Sequence, residues 1–263
     1  TLLINSDILV DYVKYSRSKI LNSGRAVRQF SGNIQLRGFT GFSEFHSCGN
    51  FVSPAELSFL QHYPLDSGEI IDVGANLGLI SLILAQRFPD RNIHAFEPNP
   101  STFENLQDNI ALNSYLNIQA KRSAVGNSEG EVAFNANPIH RGTVSLNLSD
   151  CQQPIAVPCT TLDRYAQQNQ IEEMALLKVD VEGYEEYVFQ GAKKLIELNK
   201  IHIIYYEICP PLVRKAGLDP ATPTQMLLDC GYRVYQLTET GDLNPIKLSQ
   251  IDEIGIENWI AIR

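Results

Sequence analysis

Four apolar runs in this chain end in an acid. Ile70-Ile71 leads into Asp72, Ile93-His94-Ala95-Phe96 into Glu97, Leu176-Leu177-Lys178-Val179 into Asp180, and Ile201-His202-Ile203-Ile204-Tyr205-Tyr206 into Glu207. Short apolar runs bounded by turn residues read as buried strands. Ligands of parallel sheets bind outside the carboxyl ends of the strands. The four carboxylates are therefore expected along one rim of a sheet. After Asp72 comes the turn Gly74-Ala75-Asn76-Leu77-Gly78, spaced G-x-N-x-G, and then an apolar helix. Gly74 and Gly78 lack Cβ, so the backbone can turn sharply and lie close to a ligand. Asn76 is expected to cap the helix. A pyrophosphate seeks bare N–H groups at a helix N-terminus, and Asp72 would repel it. A ligand bearing ammonium or sulfonium groups would be attracted instead. S-adenosylmethionine has both cations and no phosphate. Glu97, at the next strand end, is placed to hydrogen-bond ribose hydroxyls.

These residues need a frame to hold them. From Glu69 the pattern is strand, helix, strand, helix. Asn99 and Pro100 open a helix with Phe103, Leu106 and Ile110 on one face. Residues 117–125 read as the third strand and its exit, where the small residues Ser123, Ala124, Val125 and Gly126 leave room for a flat ring such as adenine. Glu131 to Phe134 and Ile155 to Cys159 read as strands, and Thr161-Leu162-Asp163 as a helix cap. Residues 135–153, with His140, form a polar loop of a length that is often functional. Asp180 is followed by another glycine turn and a helix bearing Val188, Ala192 and Leu195. A helix at 224–228 and strands at 232–237 and 258–262 close the chain. The expected architecture is an α/β, Rossmann-like, seven-stranded, mostly parallel sheet with helices on both faces and an antiparallel C-terminal hairpin. Residues 1–66 are expected as a helical extension or lid. Within them Ile4, Ile8, Leu9, Tyr12 and Val13 keep helical spacing, residues 31–41 suggest a hairpin, and Ser53, Pro54 and Glu56 form a capping box. Residues 67–263 are the expected ligand-binding domain.

Composition sets bounds. The 263 residues are 44% hydrophobic and 19% charged, enough for a sizeable core. The net charge of −9 and the lack of a basic run disfavour nucleic-acid and anionic-membrane partners, unless a local patch is hidden in the average. The five cysteines are scattered without a C-x-x-C pair, as expected of buried free thiols in a reducing cytoplasm. No apolar run is long enough to span a bilayer, and no signal-peptide pattern opens the chain. It begins with Thr rather than Met, as an excised piece of a longer protein or a processed product would.

The chain resembles the FkbM-type S-adenosylmethionine-dependent methyltransferases, a branch of the class I, seven-stranded Rossmann-like fold. The resemblance rests on residues 71–78, on Ala95-Phe96-Glu97-Pro98-Asn99-Pro100, on Thr161-Leu162-Asp163, and on Leu177-Lys178-Val179-Asp180-Val181-Glu182-Gly183-Tyr184-Glu185. The glycine motif alone is widespread, whereas its combination with K-x-D-x-E-G-x-E is far more specific. The resemblance spans roughly residues 45–263. It implies O-methylation of a hydroxyl on a secondary metabolite, either a polyketide-derived product or a sugar, free or carrier-bound. It places S-adenosylmethionine over Asp72, Gly74, Ala75, Asn76 and Gly78, with Glu97 on the ribose, Pro98 also at the cofactor, and Ser123 and Ala124 near the adenine.

Methyl transfer from an activated cofactor leaves the protein to position the acceptor and remove its proton. Two schemes are open. Asp180, Glu182 or His140 acts as general base; or Asp180 and Glu207 hold Mg²⁺, which lowers the hydroxyl pKa. Lys178, on the same strand face as Asp180, neutralises one of the acids or steers the acceptor oxygen. Rival readings are an NAD-dependent oxidoreductase, disfavoured by Asp72 and the missing middle glycine, and a non-catalytic α/β binding module within a larger assembly.

Overall fold

A computed structural model describes residues 6–48, 51–134 and 154–263. The chain opens with α1 (Ser6–Leu21) and a hairpin of β1 (Val27–Gln29) and β2 (Gln35–Arg37), followed by α2 (Phe42–Ser47) and α3 (Pro54–His62). The hairpin lies a few residues earlier than expected. Gly32 (φ 71°) and Asn33 (φ 64°) take left-handed conformations, so residues 31–33 become the turn rather than a strand. The capping box is formed as expected: Ser53 Oγ accepts from Glu56 N, and Glu56 Oε2 accepts from Ser53 N. Glu56 Oε1 also accepts from Tyr205 Oη at 2.6 Å, tying α3 to the sheet.

The alternating part follows as β3 (Glu69–Val73), α4 (Leu79–Arg87), β4 (Ile93–Phe96), α5 (Pro100–Asn113) and β5 (Ile118–Lys121). A small side sheet comprises β6 (Ala124–Val125), β7 (Gly130–Phe134) and β8 (Ile155–Thr160). Then come α6 (Leu162–Asn169), β9 (Met174–Val179), α7 (Glu185–Gly191), α8 (Lys193–Glu197), β10 (Ile201–Ile208), α9 (Pro210–Lys215), α10 (Thr222–Asp229), β11 (Arg233–Leu237), β12 (Leu243–Pro245) and β13 (Glu257–Ile262). Asn99 and Thr161 cap α5 and α6 through their side-chain oxygens, as expected.

The main sheet runs β12-β11-β13-β10-β9-β3-β4-β5. From β10 to β5 every pairing is parallel, whereas β13 is antiparallel to both β10 and β11. The seven expected strands are present, and the three-residue β12 adds an eighth at the edge. All six residues of β9 are buried, because helices cover both faces of the central strands. Along β10 the side chains alternate: Ile203 and Tyr205 join the core with α3, α4 and α5, while Ile204 and Tyr206 join the core with α6, α7 and α10. Ile34 and Leu36 of the hairpin region are fully buried in the first of these cores. The N-terminal segment thus shares its core with the alternating part and mixes hairpin with helix. Cys48, Cys159 and Cys209 are buried free thiols.

Candidate functional site

Strand order reverses between β3 and β9, because the chain goes from β3 outward to β4 and β5 and returns through β9. Such a switch point opens a crevice at the carboxyl ends of the strands. The turn after β3 enters that crevice with Gly74 at φ 77° and Asn76 at φ 51°. Its first three N–H groups are already engaged: Gly74 N and Ala75 N donate to Phe96 O, at 3.0 and 2.9 Å, and Asn76 N donates to Glu97 Oε2 at 3.0 Å. Asn76 does not cap α4, in contrast to the expectation. The residue just before the helix is Gly78, left-handed at φ 90° and with no side chain to cap, and Asn76 lies two residues further out. Gly78 lines neither of the cavities described below; a Cβ there would stand 2.5 Å from Leu106 Cδ1. Its lack of a side chain lets α4 pack closely on α5.

Glu97 is buried, and both its oxygens hold backbone. Oε1 accepts from Asn99 N at 2.8 Å, and Oε2 from Asn76 N at 3.0 Å. Burial pushes its pKa up to about 7, against the pull of these two hydrogen bonds. A carboxylate has about four lone-pair sites, so acceptor capacity remains for hydroxyls of a ligand.

Asp72 is fully buried and does not line the two cavities described below, so it does not offer its charge to a cationic ligand as expected. Its Oδ2 accepts from Ser81 Oγ at 2.6 Å, and its Oδ1 forms an ion pair with Lys178 Nζ at 3.2 Å. This pair follows from register, since Asp72 stands opposite Lys178 on the neighbouring strand. Lys178 Nζ also donates to Gly74 O at 2.7 Å and lies 3.6 Å from Asp180 Oδ2. Burial works against the ammonium, but the charges of Asp72 and Asp180 outweigh it and raise the lysine pKa. Lys178 thus neutralises Asp72 and clamps the glycine turn.

The second turn carries Asp180, Glu182 and Glu185. Glu185 is buried and accepts from Val181 N and Gly183 N, so it braces the turn from below. Glu182 takes a left-handed φ of 56°. Burial first, and then the charges of Asp180 and Glu185, push its pKa up to about 7. Glu207 is raised well above the carboxylate range by burial, with Asp180 and Glu182 adding to the effect, and its Oε2 has no hydrogen-bond partner.

Two cavities meet over these turns. The smaller, about 220 Å³, is lined by Glu97, Pro98, Ser123, Ala124 and, from the side sheet, Val132 and Phe134, with Tyr184 and Tyr187 beyond. The larger, about 720 Å³, is lined by Ala75, Lys178 and Glu207, and is walled by Leu36, Thr40, Ser43, Glu44, Phe51 and Val52. Gly74, Asn76, Asp180 and Glu182 line both. The structure therefore brings together every expected site residue except Asp72 and Gly78, which lie beneath, and His140, which lies outside the described residues. Among the described residues no group of three or more His, Cys, Asp or Glu side chains is arranged to hold a metal ion. Asp180 and Glu207, the expected Mg²⁺ ligands, share their space with the Lys178 ammonium, and magnesium is not supported. Sequence reasoning missed Val132, Phe134, Tyr184 and Tyr187. Tyr184 lay within the Asp180–Glu185 segment, whereas the side-sheet residues carried no signal beyond strand alternation.

A parallel sheet reversing between its first and fourth parallel strands in chain order, with its antiparallel strand inserted beside the fifth, is the Rossmann-like architecture of class I methyltransferases. The chain belongs to the FkbM methyltransferase family: the methyltransferase FkbM domain matches residues 72–234, a narrower span than the expected 45–263. It is similar to methyltransferase 1 of Beauveria bassiana, 30% identical over 146 residues, covering 48% of this chain and 59% of that protein. It is similar to the hexuronic acid methyltransferase AglP of Haloferax volcanii, 28% identical over 157 residues, covering 59% of each. Methyltransferase sdnD of Sordaria araneosa is 30% identical over 152 residues, covering 57% of this chain and 52% of that protein. The matches thus span between half and three fifths of these relatives' lengths.

Proposed function

We propose that this protein methylates a hydroxyl of a small molecule, with S-adenosylmethionine in the smaller cavity and the acceptor in the larger. The observation that carries this reading is the pair of cavities joined across Gly74, Asn76, Asp180 and Glu182. The smaller has the makings of an adenosine site: Glu97 with spare acceptor capacity for ribose hydroxyls, and an apolar slot between Pro98 and Phe134 for a flat ring. A dinucleotide fits less well, since the first three N–H groups of the turn are bonded to Phe96 and Glu97 rather than free for a pyrophosphate. When bound, S-adenosylmethionine supplies a methyl group already activated on sulfur. The larger cavity, at about 720 Å³, lies within the range of small-molecule sites. A hydroxyl of a sugar or of a polyketide-derived product is the acceptor class of this reading; the Haloferax relative's name gives a hexuronic acid, itself a sugar, for that protein.

Calorimetry tests the cofactor. S-adenosylhomocysteine should bind and NAD should not; tight binding of NAD with none of S-adenosylhomocysteine would overturn the reading. Glu97→Ala should weaken S-adenosylhomocysteine about 10- to 100-fold, the range for hydrogen bonds to a charged group. Affinity within twofold of the parent would remove Glu97 from the ribose.

Glu182 is the general base of this reading, accepting the hydroxyl proton on its carboxylate as the oxygen takes the methyl group. A base must be ionised to work. With its pKa raised to about 7, the rate should rise as pH climbs through neutrality and level off above it. Glu182→Gln should cost about 10²- to 10⁴-fold in kcat and abolish this rise. Retention of the pH step in the variant would assign the base elsewhere.

A further inference from the structure

Helix α1 leaves much of its apolar surface to solvent. Leu9, Val13 and Ile20 are 56%, 58% and 82% exposed. At 3.6 residues per turn they fall on one stripe, with Ser16 between Val13 and Ile20. The other side of the helix is packed. Asp11 is buried on Arg28 and His46, Ser18 Oγ donates to Val27 O, and the Tyr15 ring meets Phe42 and Phe45 edge-on. The stripe therefore faces away from the body that holds the helix. An exposed apolar stripe of this extent marks an interaction surface.

Its margins are basic. By the helical repeat Arg17 lies on one side of the stripe and Lys19 on the other, while Lys14 lies further round the helix and pairs with Asp11 at 3.4 Å. Arg17 and Lys19 are both exposed, although the whole chain carries −9. Beside α1, Lys19, Arg25 and Arg37 line a further cavity of about 700 Å³. Asp108 pairs with both arginines there and Glu104 stands in the same cavity, while Lys19 has no ion pair among the described residues. The buried Nε of Arg37 has no hydrogen-bond partner.

We propose that α1 is an interfacial helix that seats this protein on an anionic lipid surface. Leu9, Val13 and Ile20 enter the acyl boundary, and Arg17 and Lys19 extend to the phosphates. Long basic side chains bury their stems beside apolar residues while their charges stay at headgroup level. The cavity of Lys19 and Arg25 then lies beside the headgroups. A second copy of the chain fits the stripe less well. Two copies of α1 would bring the Arg17 and Lys19 margins together, and Asp11 is buried and already paired with Arg28, His46 and Lys14. The sixteen residues of α1 lie on a bilayer rather than cross it, and no described helix is long and apolar enough to cross one. Because α1 packs on α2, and α2 contributes Ser43, Glu44 and Ser47 to the larger cavity, seating α1 would hold a wall of that cavity at the lipid surface. The proposal stands independently of what the cavities bind.

Vesicle co-sedimentation of the full chain tests it, with phosphatidylcholine alone and with phosphatidylglycerol added, at low and high salt. Binding should require phosphatidylglycerol and weaken at high salt. Arg17→Gln/Lys19→Gln should lower partition about 25-fold, at about fivefold per cation. Val13→Asp/Ile20→Asp should abolish it, with melting and S-adenosylhomocysteine binding as in the parent, since both sites face solvent. No binding to either vesicle, equal binding to both, or variants that bind like the parent would overturn the proposal. So would a dimer in light scattering that Val13→Asp/Ile20→Asp disperses, which would make the stripe a contact between copies.

Discussion

Lys178→Met is expected to destabilise the protein by about 3–5 kcal/mol, the usual cost of stranding one partner of a buried ion pair. Lys178 is 3% exposed and Asp72 fully buried, so the carboxylate left behind can recruit little water. Ser81 still serves one of its oxygens, but the oxygen facing Nζ has no hydrogen-bond donor to replace the ammonium. The loss is a large part of a typical stability of about 5–15 kcal/mol. In a chain of this size it should lower Tm by roughly 10 °C or more. The turn carbonyl of Gly74 loses its donor as well, so S-adenosylhomocysteine affinity should fall with stability. Thermal and urea unfolding read the first effect. Asp72→Asn/Lys178→Met should recover most of the loss, because it removes the unpaired charge along with the pair. A single variant melting within about 2 °C of the parent would mean that Asp72 is solvated or protonated in the fold.

The same pair shows what a sequence can and cannot display. Asp72 and Lys178 are 106 positions apart, and each is ordinary at the end of an apolar run. That the runs were strands was legible from their length and apolar content, and so was the order of strand and helix. That Lys178 would neutralise one of the acids was one of two open readings. Which acid, and on which face, depends on the register of β3 against β9, which no local pattern encodes. Asp72 therefore looked like a ligand for a cation when it is a partner for a lysine two strand positions from Asp180. Glu97, Asp180 and Glu207 came to the rim as expected, because strand ends and turns are local features. Asn76 failed as a cap because the turn needed its left-handed backbone, and its N–H was claimed by Glu97. The apolar slot of the smaller cavity was hidden for a different reason. Val132 and Phe134 belong to a separate small sheet whose placement over Glu97 is a matter of tertiary packing.

Gly74→Ala should cost more than a hundredfold in S-adenosylhomocysteine affinity, and the reason is space as well as backbone. Gly74 has a φ of 77°, which an L side chain adopts at about 1–2 kcal/mol. A Cβ there would lie 1.9 Å from Asp180 O and 3.0 Å from Asp180 C. Those are main-chain atoms on the other side of the switch point, and Asp180 N is itself bonded to Val73 O at 3.1 Å. Neither can swing aside as a side chain could, so the two turns must separate. They are the turns that join the cavities, and both the Lys178 clamp and the Glu97 bond to Asn76 run through them. Gly217→Ala separates the two causes. Gly217 has nearly the same backbone, at φ 79°, and nothing within 4 Å of its would-be Cβ. It should lose stability by about 1–2 kcal/mol from strain alone and bind S-adenosylhomocysteine as the parent does. Calorimetry on both variants, each checked for native circular dichroism, gives the comparison. If Gly74→Ala binds within tenfold of the parent, the turns have room to part and the close approach across the switch point is not what shapes the site.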